Sequence, residues 1–290
     1  MMDVNFCKKI LKINNNQHIL YIEFLENETL HFYFDNKNKV DLINLYERKK
    51  RNVNLDIIQD DRMIKFNYLN YQFIINDNLE IFIDKVMGIK FFNDSKYQTL
   101  LNVSEDVKVF GLGDKMSALN KVGYEYESWA TDDSKHHDES FKSLYKVANY
   151  LLINNQNSYF GFFFPSTYKY HFDICKCDAN QIVVSNKKAT QDFYLFLSND
   201  VKKITSNYSK LVGHPYLIRL KMLGNNQSRF TYKSENEVMD VVNKYYENNL
   251  PLDYIHLDIE YMDGFRDFTV DKNNFPSLKK LTMDMIKKCV

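Results

Sequence analysis

Apolar and polar positions alternate in short runs over the first part of the chain: Ile19 to Leu25, Leu30 to Phe34, Met63 to Leu69, Tyr71 to Ile75 and Leu79 to Ile83. Polar breaks such as Glu26-Asn27-Glu28 and Asn76-Asp77-Asn78 separate them. A side-chain period of two turns one face of each run toward a core and the other toward water, so these runs predict antiparallel hairpins. A second set follows at Tyr159 to Phe164, Tyr168 to Asp173, Ile182 to Ser185 and Asp192 to Leu197. Most of the first ~200 residues therefore read as antiparallel sheet, folded as a sandwich.

The pattern changes near residue 215. Leu217 to Leu223 reads as a strand. Ser234-Glu235-Asn236-Glu237 is a capping box, in which the hydroxyl and the carboxylate each satisfy a free N–H of a first helical turn. Val238, Val241, Val242, Tyr245 and Tyr246 follow at helical spacing, and Asn248-Asn249 before Pro251 supplies a stop. Tyr254 to Ile259 predicts a strand covered on both faces. Pro276 and Ser277 open a second helix, with Leu278, Leu281 and Met285 on one side. Strand, helix, strand, helix begins a parallel α/β unit, whereas a complete eightfold barrel takes about 250 residues. The predicted division is 1–212 and 213–290.

Charge changes the picture little: 38 basic and 38 acidic side chains are scattered, which argues against a nucleic-acid or membrane partner. The 22 Phe and 21 Tyr beside 8 Gly lean toward strands. Met1 to Lys9 has no secretion-signal pattern, and no run of about 18 apolar residues occurs. Cys7, Cys175, Cys177 and Cys289 are too scattered for a disulfide framework, so a cytoplasmic setting is expected. No cofactor or metal is expected either. His136-His137-Asp138-Glu139 is a loop pair of a kind that seldom converges on one ion, and Gly111-Leu112-Gly113 lacks the third glycine of a dinucleotide loop and reads as a turn.

Two stretches carry candidate chemistry. Leu257 to Val270 ends a strand in carboxylates, aromatics and Arg266, with Asp258 where parallel barrels place functional groups. The bland alternative is an Asp that caps a turn or pairs with Arg266. In Trp129-Ala130-Thr131-Asp132-Asp133 the chain's one Trp precedes Asp132 by three residues. An aromatic platform beside a carboxylate suits a sugar, whose C–H face packs on the ring while its hydroxyls donate to the oxygens. The alternative is a surface loop anchored by its Trp.

These stretches resemble glycoside hydrolase family 31, the α-glucosidase and α-xylosidase family. Leu257 to Val270 is similar to the family's strand-end signature. Gly111 to Lys115, Leu119 to Lys121 and Trp129 to Asp133 together resemble the loop that its N-terminal domain sends into the active site, and Leu223-Gly224-Asn225-Asn226-Gln227-Ser228-Arg229-Phe230 matches the segment after the first barrel strand. The likeness also takes in Tyr159 to Phe164 and Phe172-Asp173. Departures are Glu260 where Asp is usual, Ala130 for Asn, Ser134 for Pro, and Phe230 for Trp. The resemblance implies a galactose-mutarotase-like β-sandwich followed by the first strand–helix units of an incomplete (β/α)8 barrel, acting on an α-glucoside oligosaccharide. It implies that Asp258 holds hydroxyls of the sugar in the cleaved subsite, that Ile259 lines it, and that Asp132 touches the substrate. The family's two catalytic Asp residues lie on its fourth and sixth barrel strands, whereas this chain ends entering the third. No catalytic residue and no turnover are therefore expected from it. Three readings stand: an α-glucosidase-type hydrolase by descent, a non-catalytic carbohydrate-binding protein, and a piece that docks with a separately made C-terminal barrel half.

Overall fold

The computed structural model describes residues 2–34, 45, 48–60, 62–93, 97–187 and 192–287. Two compact units emerge, Met1–His214 and Pro215–Val290. Cys289 lies outside the described residues.

The first unit is built from two antiparallel sheets. One has eight strands in the spatial order Asp3–Cys7, Ile10–Asn14, Ile19–Phe24, Thr29–Phe34, Asp192–Ser198, Ser158–Phe163, Val147–Asn155 and Lys108–Gly113. The other has nine: Tyr124–Ser128, Tyr170–Ile174, Gln181–Asn186, Tyr97–Asn102, Met87–Asn93, Ile81–Ile83, Tyr71–Asn76, Met63–Tyr68 and Ile58–Gln59. Alternation sends Leu30, Phe32 and Phe34 into the core that the sheets share. There Phe34 meets Phe91 edge-on at 4.9 Å and Phe91 lies 6.1 Å from Phe193. Each such ring removes enough apolar surface from water to contribute about 1.5–3 kcal/mol.

The opposite face of Thr29–Phe34, which alternation assigns to water, is covered as well. His31 and Glu23 are buried there. Glu23 accepts from the Tyr33 hydroxyl at 3.0 Å and pairs with Lys50 at 2.8 Å and Arg48 at 3.3 Å. His31 Nδ1 is 3.2 Å from Glu23 and Nε2 2.6 Å from Asp192. Burial works against both charges, but the pairing wins: His31 and Lys50 hold the Glu23 carboxyl below its ordinary range, and Asp192 with Glu23 pushes the His31 imidazole up.

Helix α1 (Val201–Val212), absent from the periodicity reading, covers more of this outer face. Asp200 caps it, accepting from the Lys202 N–H at 2.9 Å, and Ile204 and Leu211 pack with Phe163, Tyr194 and Phe196. The approach is close enough that a Cβ on Gly161 would lie 2.8 Å from Ile204 Cγ2. Gly111-Leu112-Gly113 is not a turn. It closes the strand Lys108–Gly113 with a bulge, all three residues at positive φ, and a Cβ on Gly111 would strike the Tyr150 carbonyl.

The second unit centres on two short parallel strands, Asn226–Ser228 and Tyr254–His256, with Gln227 opposite Ile255. The first strand is thus not Leu217–Leu223, which is exposed and ends in a 3₁₀ turn from Leu220 to Leu223. The parallel partner is instead fixed by polar contacts around Asn225: its N–H donates to Asp253 Oδ2 at 2.9 Å, and its side chain donates to the Pro251 carbonyl at 2.7 Å. Helix α2 (Glu235–Glu247) starts at the predicted capping box, with Ser234 Oγ accepting from the Glu237 N–H and Glu237 Oε2 from the Lys233 N–H. Val238 and Val242 are its buried positions. Helix α3 (Leu278–Lys287) follows, and Tyr232, Val238, Phe275 and Leu281 form the small core. No helix among the described residues is long and apolar enough to cross a membrane.

Candidate functional site

Asp258 lies two residues beyond the Tyr254–His256 strand, which is shorter than the predicted run to Ile259. Its backbone is left-handed, φ 63°, an arrangement a non-glycine residue holds at a cost of about 1–2 kcal/mol. Among the described residues its carboxylate has no hydrogen-bond or ionic partner. Arg266, the alternative partner, is engaged by Asp263. Ile259 is 40% exposed beside it. The loop that follows is tied internally: the Asp263 N–H donates to Thr269 Oγ1 at 3.0 Å, the Thr269 hydroxyl donates to the Arg266 carbonyl at 2.6 Å, and the Asp271 N–H donates to the Tyr261 carbonyl at 2.8 Å.

Asp132 stands on the loop between the strands Tyr124–Ser128 and Val147–Asn155. Its neighbours are all pinned. The Thr131 N–H donates to the Leu144 carbonyl at 3.0 Å, the Trp129 carbonyl accepts from the hydroxyls of Thr131 and Ser143, and the Asp133 carbonyl accepts from the Tyr145 hydroxyl at 3.0 Å. Asp132 itself is exposed, with no partner among the described residues. This is a rigid backbone presenting one free carboxylate. His137 in the same loop contacts the Asp133 carbonyl and packs against Phe141, and among the described residues no three metal-ligating side chains converge.

Two charged groups were not singled out by sequence. Lys115, in the Gly113-Asp114-Lys115 segment, donates to the Glu127 carbonyl at 3.0 Å, and burial lowers its pKa to about 8. Glu125 is held at about 2 by Lys142, Lys176 and His171. Neither departs from its neighbours in local sequence pattern; what marks them is tertiary contact, Lys115 buried against the Glu127 carbonyl and Glu125 collecting Lys142, His171 and Lys176.

Residues 6–173 match the N-terminal galactose mutarotase-like domain of glycosyl hydrolase 31, and residues 215–290 match the TIM-barrel domain of glycosyl hydrolases family 31. The α-glucosidase 2 of Bacillus thermoamyloliquefaciens is 35% identical over 179 residues, covering 62% of this chain and 23% of that protein. The glucosidase 2 subunit alpha of Schizosaccharomyces pombe is 29% identical over 212 residues, covering 66% and 23%. The chain thus spans about a quarter of the length of these relatives. Among solved structures, the Flavobacterium johnsoniae dextranase complexed with glucose aligns with 99% of this chain and 37% of its own at a TM-score of 0.85 and 22% identity. An α-xylosidase from a soil metagenome, complexed with xylose, aligns with 99% and 46% at 0.80 and 12%. At these identities the structural likeness speaks for the fold: an antiparallel mutarotase-like domain and then the start of a TIM barrel. With one family model covering most of the sandwich and another the whole of the strand–helix unit, the chain belongs to glycoside hydrolase family 31.

Proposed function

We propose that this chain serves an α-glucosidase-type hydrolysis of O-glycosyl bonds as a substrate-holding portion, with Asp258, Ile259 and Asp132 as the groups that take an α-glucoside. The observation that carries the reading is the state of the two carboxylates. Each sits on a backbone that neighbouring hydrogen bonds hold in place, and each is left without a partner among the described residues. Carboxylates so placed accept sugar hydroxyls through charge-assisted hydrogen bonds. Retention of configuration needs a further pair of carboxyl groups about 5–5.5 Å apart, one attacking and one protonating. Asp132 and Asp258 correspond to substrate-holding positions of the resembled family, not to that pair.

The test is release of nitrophenol from a nitrophenyl α-glucoside by the purified chain, where none is expected. Turnover abolished by Asp258→Asn would make Asp258 catalytic and overturn the reading. A second reading, docking of a separately made C-terminal barrel half, is favoured by one observation: Leu217, Phe230 and Phe268 of the second unit are 102%, 85% and 104% exposed.

A further inference from the structure

One face of the nine-stranded sheet carries a row of side chains that local sequence does not reveal. Glu127 stands opposite His171, His171 opposite Ser185, Ser185 opposite Gln98 and Gln98 opposite Phe92. Neighbouring strands lie about 4.8 Å apart, so hydrogen-bonding groups recur along the row at that interval. A cleft of about 630 Å³ opens over its Glu127 end, lined also by Trp129, Lys169 and Asn186. That volume is within the range of small-ligand sites, and all of the cleft belongs to the first unit.

Its chemistry suits a polyhydroxyl ligand, with the exposed Lys187 as a further donor in the lining. The Glu127 carboxylate is matched by Lys169 Nζ at 2.6 Å, and His171 Nε2 lies 3.2 Å from Glu125, so the acidic groups are already paired. Ser185 is 92% buried, yet among the described residues its hydroxyl makes no hydrogen bond, leaving a donor and an acceptor for a ligand. The indole of Trp129 is 54% exposed while its own carbonyl is held by two hydroxyls. A flat apolar ring on a backbone held in this way can take the C–H face of a pyranose.

We infer that this cleft is a saccharide-binding site, with Trp129 as the platform and Glu127, His171 and Ser185 as hydroxyl partners. Neither Asp132 nor Asp258 lines it. The choice of an α-glucan as ligand rests on the function proposed above, whereas the preference for a saccharide rests on the cleft alone.

Trp129 is the chain's one tryptophan, so its emission reads this site directly. Titration of the full chain with maltotriose should give a saturable change in emission with a dissociation constant on the order of 1 mM. His171→Ala and Ser185→Val, which leave the reporter in place, should each weaken binding about five- to tenfold, as loss of one uncharged hydrogen bond does. No saturable change overturns the inference. So does binding that both variants leave untouched while Asp132→Ala removes it, which would put the ligand on the loop carboxylate. Glycosidase turnover abolished by Asp258→Asn would sink the proposed function without moving this titration.

Discussion

In the first unit the strand Thr29–Phe34 is buried along its whole length on both faces, by the opposing sheet on one side and by the charged cluster of Glu23, Arg48, Lys50 and Asp192 around His31 on the other. In the second unit, Tyr232, Val238, Phe275 and Leu281 make a small core, and Tyr216, Leu217, Leu220 and Phe268 stand in water. The first unit therefore owes its order to tertiary burial. The second owes it to local devices: a capping box, an Asn-Pro stop and polar ties within loops. Local devices contribute about 1 kcal/mol each, and burial of a ring several times that, so the two units should differ sharply in resistance to opening.

The largest expected effect follows at once. Limited proteolysis read by mass spectrometry should trim the chain to about residue 215 while the sandwich persists, and amides of the second unit should exchange at least about a hundredfold faster than those of the inner strands. A monomer whose 215–290 segment resists protease as well as the sandwich does would break the comparison. Addition of a barrel C-terminal half should protect that segment if the docking reading holds.

A smaller effect sharpens the contrast. Phe162 is fully buried and 5.6 Å from Phe193, so Phe162→Ala should cost the sandwich about 3–5 kcal/mol in a urea titration. Phe275→Ala should abolish protection in the second unit and leave the sandwich transition where it was, since the two cores share no residue.

The smallest is a pH dependence confined to the first unit. His31 has its pKa raised from 6.5, so its stabilisation is fully present below that pH and is lost as pH rises through the folded value. Glu23 has its pKa lowered from 4.5, so its share is present above that pH and fades as pH falls. His31→Gln should cost about 1–3 kcal/mol at pH 6 and flatten the alkaline decline; equal slopes for variant and parent between pH 6 and 9 would remove His31 from the account.

Much of this was legible in the sequence where structure is local. Period-two alternation located strands such as Met63–Tyr68 and Tyr71–Asn76, and the Ser234 box marked the start of α2 to the residue. Helix α1 was not, because just Ile204, Asn207 and Leu211 of its twelve residues are buried, too few to set a clear helical stripe against the sheet they cover. Leu217–Leu223 misled for the converse reason: an apolar run without a partner strand in the described residues does not make a ladder. The motifs placed Asp132 on a loop and Asp258 at a strand end, but the cleft over Glu127, His171 and Ser185 depends on a register that joins the strand of Glu127 to a hairpin more than 40 residues further along the chain. Periodicity within one strand cannot supply that.

The left-handed backbone at Asp258 carries an evolutionary consequence. Glycine adopts φ 63° without a Cβ penalty, and asparagine tolerates it, so either substitution would relieve local strain while discarding the carboxylate. A population selected for heat resistance alone would drift toward those residues at this position. Selection that also demanded sugar binding would hold the aspartate against that gradient, which makes the codon at 258 a place where the competing pressures of durability and use could be read from a laboratory lineage.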